Sequence, residues 1–533
     1  MIDGRAVEPL AGETILDAAR RSGIEIPTLC HLDGHPPDGG CRICLVEVDG
    51  APRPLAACHT PYSVDMRVRS GSPALERLRG ELRALADAAR PARPLRKTHP
   101  YLRFDPSLCI TCRRCLHVCE DVQGQFVYAV VGRGSQAQLA FGSDDRFETS
   151  PCSSCGACTE VCPTGALFDR DRAAEVAGAA HTTRSTCGYC GVGCQVVVSS
   201  DDARVLRIRG AGDASVNRGH LCAKGRYAHA WRESPERLTR PMLRRGGKLE
   251  PVSWPEAIAT AARRLEEIRA AHGPGALGAL TSSRSTNEAA YLLQKLFRSR
   301  IGTNNVDCCA RVCHASTAEA LREATGTGAA TACYADIERA RAIVVVGANP
   351  TEAHPVIGAR IAQAVRCGAK LVVVDPRRIE LAAQADVFLQ LEPGTNVALL
   401  NALAALLLAS GRVDRAYLAA RTRGLDELCA ALLPVRLDEA ARLSGVASDS
   451  LRAAGELLQE GPALFVSGLG TSELFQGTAS VSALCNLALL TGSIGREGAG
   501  LLPLRGQNNV QGNADMGAEP DRFPGYQALN APA

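Results

Sequence analysis

Cys313 stands directly before His314 in the run Val306-Asp-Cys-Cys-Ala-Arg-Val-Cys-His314. A soft thiolate suits a redox-active metal, and a neighbouring imidazole is a natural proton acceptor. In isolation such a pair is more often a packed thiol beside a core histidine. The other cysteines reverse that weighting. Of the 23 cysteines in the 533-residue chain, sixteen lie upstream of residue 223, in four sets of four. Such sets read as wiring for electrons, and Cys313 is the best candidate for the metal-bound end of the wire.

The first set is Cys30, Cys41, Cys44 and Cys58, with Gly39-Gly40 before Cys41. Glycines let backbone N–H groups approach sulfur, and such donors tune a cluster's potential. The second and third sets are two copies of one motif: Cys109, Cys112, Cys115, Cys119, then Cys152, Cys155, Cys158, Cys162 followed by Pro163. In a two-cluster ferredoxin the fourth cysteine of each run ligates the other cluster. Cys109, Cys112, Cys115 and Cys162 are therefore expected to hold one [4Fe–4S] cluster, and Cys152, Cys155, Cys158 and Cys119 the other. The fourth set, Cys187, Cys190, Cys194 and Cys222, would close a third [4Fe–4S] site. Structural zinc is the competing use of such thiols, and repeated four-cysteine runs at this spacing favour iron–sulfur. Lys224, two residues past Cys222, could stand between that cluster and a cofactor, although lysines are ordinarily on the surface.

These residues need elements to hold them. Residues 1–71 read as a small β-rich unit with a helix starting near Thr14. Residues 72–98 are a helical stretch, Pro73 to Ala89, and a Pro- and Arg-rich linker. Residues 99–175 carry the ferredoxin pair, and 180–235 the single-cluster segment. Residues 236–533 alternate strand-like runs with helical ones; Ala276–Thr281, Ala342–Gly347, Lys370–Asp375 and Ala463–Gly468 are short, β-branched and bounded by Gly or Pro, as buried parallel strands are. The fold class is thus multidomain, α+β followed by doubly wound α/β. Ligands of such sheets bind beyond the carboxyl ends of the strands. That directs attention to Gly347, Asn349 and Glu352, to Asp375, Pro376 and Arg377, and to Gly470 and Thr471. No Gly-x-Gly-x-x-Gly fingerprint occurs, so plain NAD binding is poorly supported. Cys308 and Cys309 read as packed core cysteines, and Cys333, Cys367, Cys429 and Cys485 as buried thiols. His99 is not expected to ligate a cluster, because no cysteine lies between Cys58 and Cys109.

Composition narrows the partners. Lys and Arg number 60 against 56 Asp and Glu, and aromatics make up 4% of residues. Neither figure suits nucleic acid or a membrane surface as main partner. The start lacks a basic segment followed by an apolar run, and the apolar run Val397–Ala409 is too short to span a bilayer. A cytoplasmic, reducing location is expected, where clustered cysteines bind metal rather than pair.

The order of segments resembles the catalytic subunit of cytosolic, molybdenum-dependent formate dehydrogenases, within the bis-molybdopterin guanine dinucleotide oxidoreductases. Three stretches carry the resemblance: Val306–His314, Gly347-Ala-Asn-Pro-Thr-Glu-Ala-His-Pro355, and Leu504-Arg-Gly-Gln-Asn-Asn-Val-Gln-Gly512 with Asp515-Met-Gly517. The resemblance implies a [2Fe–2S] cluster on the first set and [4Fe–4S] clusters on the other three. It implies molybdenum or tungsten on Cys313, and His314 and Arg505 at a formate site yielding CO2. Lys224 would lie between pterin and cluster, and Gln507 and the strand-end residues beside the dinucleotides. Electrons would pass to a partner, such as an NAD-reducing diaphorase-type flavin subunit. Family members continue well past residue 533, so the resemblance implies a split or truncated catalytic subunit that needs the remaining half, covalently or as a separate chain. Two alternatives stay open: a molybdopterin oxidoreductase of another substrate, and a non-catalytic, complex-I-like electron carrier.

Overall fold

The computed structural model describes residues 1–87, 98–170 and 180–529. They form two compact units. The first comprises residues 1–182, 199–207 and 220–227; the second comprises 183–198, 208–219 and 228–533. The linker expected at 90–97 and the last two positions of the helical stretch expected at 73–89 lie outside the described residues.

The first unit opens with the helix Ile15–Arg21. Thr14 caps it, accepting from the Asp17 N–H while the Asp17 carboxylate accepts from the Thr14 N–H, so two otherwise orphaned donors are satisfied. This helix covers a three-stranded antiparallel sheet around Leu45–Val48, and Ile15, Leu16, Val46 and Val68 are buried between them. The helix Pro73–Asp87 follows. In the ferredoxin segment, two short antiparallel pairs, Leu102–Phe104 with Leu167–Asp169 and Tyr128–Val131 with Gln138–Phe141, flank the cysteine runs. His99 is buried, its Nδ1 accepting from the N–H groups of Tyr101 and Leu102.

The second unit is built on five parallel strands: β1 (Ala342–Val346), β2 (Lys370–Val374), β3 (Val387–Leu389), β4 (Leu464–Ser467) and β5 (Gly500–Pro503). Their order is β3-β2-β1-β4-β5. Helices α1 (Pro355–Arg366), α2 (Asn396–Ser410) and α3 (Gly477–Leu490) are among those that connect them. Strand residues buried on both faces explain the β-branched runs; Val344, Val346, Val372 and Phe465 pack with Leu399, Leu403 and Leu484 of α2 and α3. The apolar run at 397–409 is thus a core helix, and among the described residues no single helix is long and apolar enough to cross a membrane.

Two expectations need correction. The run Ala276–Thr281 does not join this sheet. Pro274–Ala276 makes a 3-10 turn, and only Ala279–Thr281 is extended, paired in parallel with Val306–Cys308. Of the four thiols expected to be buried, Cys485 is fully buried and Cys429 partly so, whereas Cys333 and Cys367 are exposed. Cys367 caps the C-terminal end of α1, where the chain turns out of the core.

Candidate functional site

The strand order reverses between β1 and β4, which is where open α/β sheets bind ligands. The loops leaving these two strands touch there. The Gly470 N–H donates to the Gly347 carbonyl at 2.9 Å, and a Cβ on Gly347 would lie 2.5 Å from the Gly470 carbonyl carbon. Gly347 also has φ +55°, so it is required twice over. Thr471, fully buried, donates its hydroxyl to Gly468 and Val346 carbonyls. Asn349 precedes the turn Pro350–Ala353 and accepts from the Thr351 hydroxyl, and Glu352 is exposed. At the end of β2, burial pushes the Asp375 carboxyl up, while its Oδ1 accepts from the Arg377 N–H at 2.8 Å. Pro376 and Arg377 are exposed.

β5 runs into the loop carrying Arg505 and Gln507. The Gln507 Oε1 lies 4.0 Å from Cys313 Sγ. Cys313 is buried, its carbonyl accepts from the Ser472 hydroxyl, and burial pushes its thiol up to about 11 against the opposing Arg505 charge. His314 is 1% exposed, and its Nε2 lies 3.1 Å from the Leu504 carbonyl. A carbonyl only accepts, so the ring proton sits on Nε2 and Nδ1 accepts from the Thr317 hydroxyl. Burial first, and Arg505 second, push its pKa down to about 3.

Arg505 and His314 line a cavity of about 610 Å³ together with Arg311, Gln511, Glu519 and Tyr526. The Arg505 carbonyl is held by the Gly191 N–H at 3.1 Å and His354 Nε2 at 2.7 Å. Its guanidinium makes one long hydrogen bond, 3.4 Å to the Gly328 carbonyl. Among the described residues it has no carboxylate within ion-pair distance, and burial pushes its pKa down. A guanidinium in that state has donors that an anion could use.

The cysteine sets fit clusters by their chemistry: each brings four thiols, the usual ligands of an iron–sulfur centre. In the first set, Cys30 and Cys41 exchange N–H···S hydrogen bonds at 3.4 and 3.5 Å, and Cys44 Sγ lies 3.4 Å from Cys58 Sγ. The sulfurs thus fall into two pairs, as a two-iron centre needs. The Cys30 thiol beside Cys41 holds the latter down at about 5. In the ferredoxin segment, Cys109, Cys112, Cys115 and Cys162 line one small apolar cavity. Cys119, Cys152, Cys155 and Cys158 line another. The structure therefore groups each run's fourth cysteine with the other run. Cys187, Cys190 and Cys194 lie in one loop of the second unit, where the Cys187 N–H donates to the Cys194 carbonyl at 2.8 Å. Cys222 and Lys224, partly buried, belong to the first unit. Cys308 packs with Ala290 and Val510, and the Cys309 thiol donates to the Ser283 hydroxyl.

The molybdopterin oxidoreductase family matches residues 237–532, more than half of the chain. The chain belongs to that family. Three further matches precede this oxidoreductase region: a 2Fe-2S iron-sulfur cluster binding domain at 1–73, the ferredoxin-like domain of NADH-quinone oxidoreductase subunit 3 at 99–168, and the molybdopterin oxidoreductase Fe4S4 domain at 180–231. A Geobacter sulfurreducens relative, "NADPH-Fe(3+) oxidoreductase subunit alpha", is 35% identical over 99% of this molybdopterin oxidoreductase and 66% of its own length. A Staphylococcus aureus relative named "Putative formate dehydrogenase" is 30% identical over 99% of this chain and 61% of its own. The chain thus spans slightly under two thirds of each. Acetylene hydratase from Pelobacter acetylenicus shares the fold, with a TM-score of 0.54 and 24% identity over 60% of this chain and 44% of that one.

A molybdopterin cofactor fits the residues present. The thiol of Cys313 faces the Gln507 loop, and the Gly347–Gly470 contact leaves bare backbone at the switch point. Arg226 was not singled out from the sequence; it is the largest fully buried side chain among the described residues.

Proposed function

We propose that this chain carries the formate-oxidising site of a molybdenum- or tungsten-dependent formate dehydrogenase. The observation that carries the reading is Arg505, a mostly buried guanidinium with no carboxylate partner among the described residues, lining the same cavity as His314. A bis-molybdopterin guanine dinucleotide complex bound through Cys313 would supply a two-electron acceptor. Arg505 would hold the formate carboxylate by a two-pronged hydrogen bond. The neutral product, CO2, would lose that attraction and leave. His314 would enter neutral, offering Nδ1 once the Thr317 hydroxyl turns away. Burial disfavours its charged form. Gly347, Asn349, Glu352, Gly470, Thr471, Asp375, Pro376, Arg377 and Gln507 would border the dinucleotide arms.

Electrons would pass through three [4Fe–4S] clusters and one [2Fe–2S] cluster to a partner, such as a flavin subunit that reduces NAD in the cytoplasm. The match of residues 99–168 to an NADH-quinone oxidoreductase domain supports such an electron partner. The formate name of the Staphylococcus relative agrees with the substrate. A second reading is favoured by the higher identity to the Geobacter protein: the clusters would take electrons from an NADPH-oxidising partner and reduce an external acceptor.

The test is Arg505→Lys in the metal-loaded protein. Lysine keeps the charge and loses the fork, at a cost of about 1–3 kcal/mol for a charge-assisted pair. A rise of roughly 5- to 150-fold in the formate KM is expected. An unchanged KM would remove the clamp and with it the substrate.

A further inference from the structure

Arg226 lies four residues beyond Cys222, in the short helix Ala223–Tyr227. It is 1% exposed. Its Nε donates to the Cys155 carbonyl at 3.0 Å, and its Nη1 donates to Glu160 Oε1 at 2.5 Å. The Asp169 carboxylate is 3.9 Å away. Arg207 reaches the same two carboxylates from the more exposed side, at 3.0 and 3.4 Å. The Tyr227 hydroxyl donates to Asp169 at 2.7 Å, and its ring stacks on Tyr101 with centroids 4.6 Å apart. The cysteine loop is shaped around this side chain: a Cβ on Gly156 would lie 2.4 Å from Arg226 Cδ.

Burying a guanidinium is costly unless it is paired. A purely structural ion pair could sit anywhere that its carboxylates could follow. This one aims Nε at the backbone of a cysteine in the middle of a cluster run, between Cys152 and Cys158. Burial pushes the Cys155 thiol up, and the Arg226 charge opposes that.

We infer that Arg226 is a positioning residue that holds a fixed positive charge against the Cys152–Cys158 loop and so raises the reduction potential of the iron–sulfur cluster on Cys119, Cys152, Cys155 and Cys158. The inference rests on the reading of those four cysteines as a [4Fe–4S] site. On reduction the cluster gains one electron, from dithionite in the test below; no bond forms or breaks and no proton is needed. In a low-dielectric site the added negative charge is stabilised by a nearby cation. Glu160 partly cancels that cation. Removing either partner must therefore move the potential in opposite directions, which a merely structural role would not produce.

The experiment is a redox titration followed by electron paramagnetic resonance on the full chain with its clusters loaded, with the signal of this cluster identified as the one that Cys152→Ser removes. Arg226→Met is expected to lower its midpoint potential and Glu160→Gln to raise it. Arg226→Lys should stay nearer the wild type, and the [2Fe–2S] signal should move less in all three. If Arg226→Met does not assemble, Glu160→Gln decides: an unmoved or lowered midpoint overturns the inference. Shifts of one sign in both variants also overturn it. A wild-type protein with no [4Fe–4S] signal sensitive to Cys152→Ser would overturn the cluster reading itself, and the inference with it.

Discussion

Gly191→Ala tests how closely the Cys187–Cys194 loop and the Arg505 loop depend on each other. The Gly191 N–H donates to the Arg505 carbonyl at 3.1 Å. A Cβ on residue 191 would lie 2.5 Å from that carbonyl oxygen and 2.7 Å from Arg505 Cβ. Both are well inside contact distance, and the oxygen is backbone, so no side-chain rotation relieves the clash. The Arg505 backbone must retreat by roughly 1 Å to restore ordinary contact, since unbonded heavy atoms prefer about 3.5–4 Å. That movement loosens two hydrogen bonds, from Gly191 and from His354 Nε2. Overpacking of this kind costs about 1–3 kcal/mol of stability. A displaced clamp costs far more in rate: a misplacement of about 1 Å can lower turnover ~100-fold. The assay is formate-dependent dye reduction beside a thermal melt and an iron count. The expected result is a fall in kcat/KM much larger than the loss of stability, with iron content retained. Wild-type kinetics in a folded, iron-loaded Gly191→Ala protein would refute the coupling between the two loops.

Other outcomes follow from single contacts. His99 is buried with its pKa pushed down to about 4 by burial, against about 6.5 when unfolded. The unfolded chain therefore binds the extra proton, and stability falls as pH drops through the window from about 6.5 to about 4. Discounted for imperfect burial, about 1–2 kcal/mol should be lost between pH 7 and 5, and His99→Gln should flatten that slope in denaturant titrations. Cys119→Ser should disturb the cluster of Cys152, Cys155 and Cys158 and spare that of Cys109, Cys112 and Cys115, as read by their resonance signals. Leu403→Ala removes a fully buried side chain of α2 from the core, and should cost about 2–5 kcal/mol in an unfolding titration.

Much of the site was legible because its signals are local. Cluster ligands must converge on one centre, so their spacing is stereotyped, and the two ferredoxin groups read from that spacing are the two sets of cysteines that line separate cavities. The strands β1, β2 and β4 announced themselves as β-branched runs because the core covers both faces. β3 and β5 were silent: each has three or four residues, and β5 opens on a glycine at φ +120°. Ala276 misled because apolar residues after Pro274-Gly275 can as easily form a turn. Arg226 was invisible for a different reason. Its partners Cys155 and Glu160 lie 71 and 66 residues away, and nothing near Arg226 in the sequence points to them. The hydrogen bond at His314 Nε2 also comes from the fold, since Leu504 is 190 residues distant.

The most direct measurement is to add formate, anaerobically, to the protein loaded with metal and clusters, and to follow the iron–sulfur signals. The account predicts that formate alone reduces the clusters, and that the reduction requires Cys313 and bound molybdenum or tungsten. Clusters that stay oxidised with formate, yet are reduced by NADPH through a partner subunit, would contradict it and leave the chain as an electron relay.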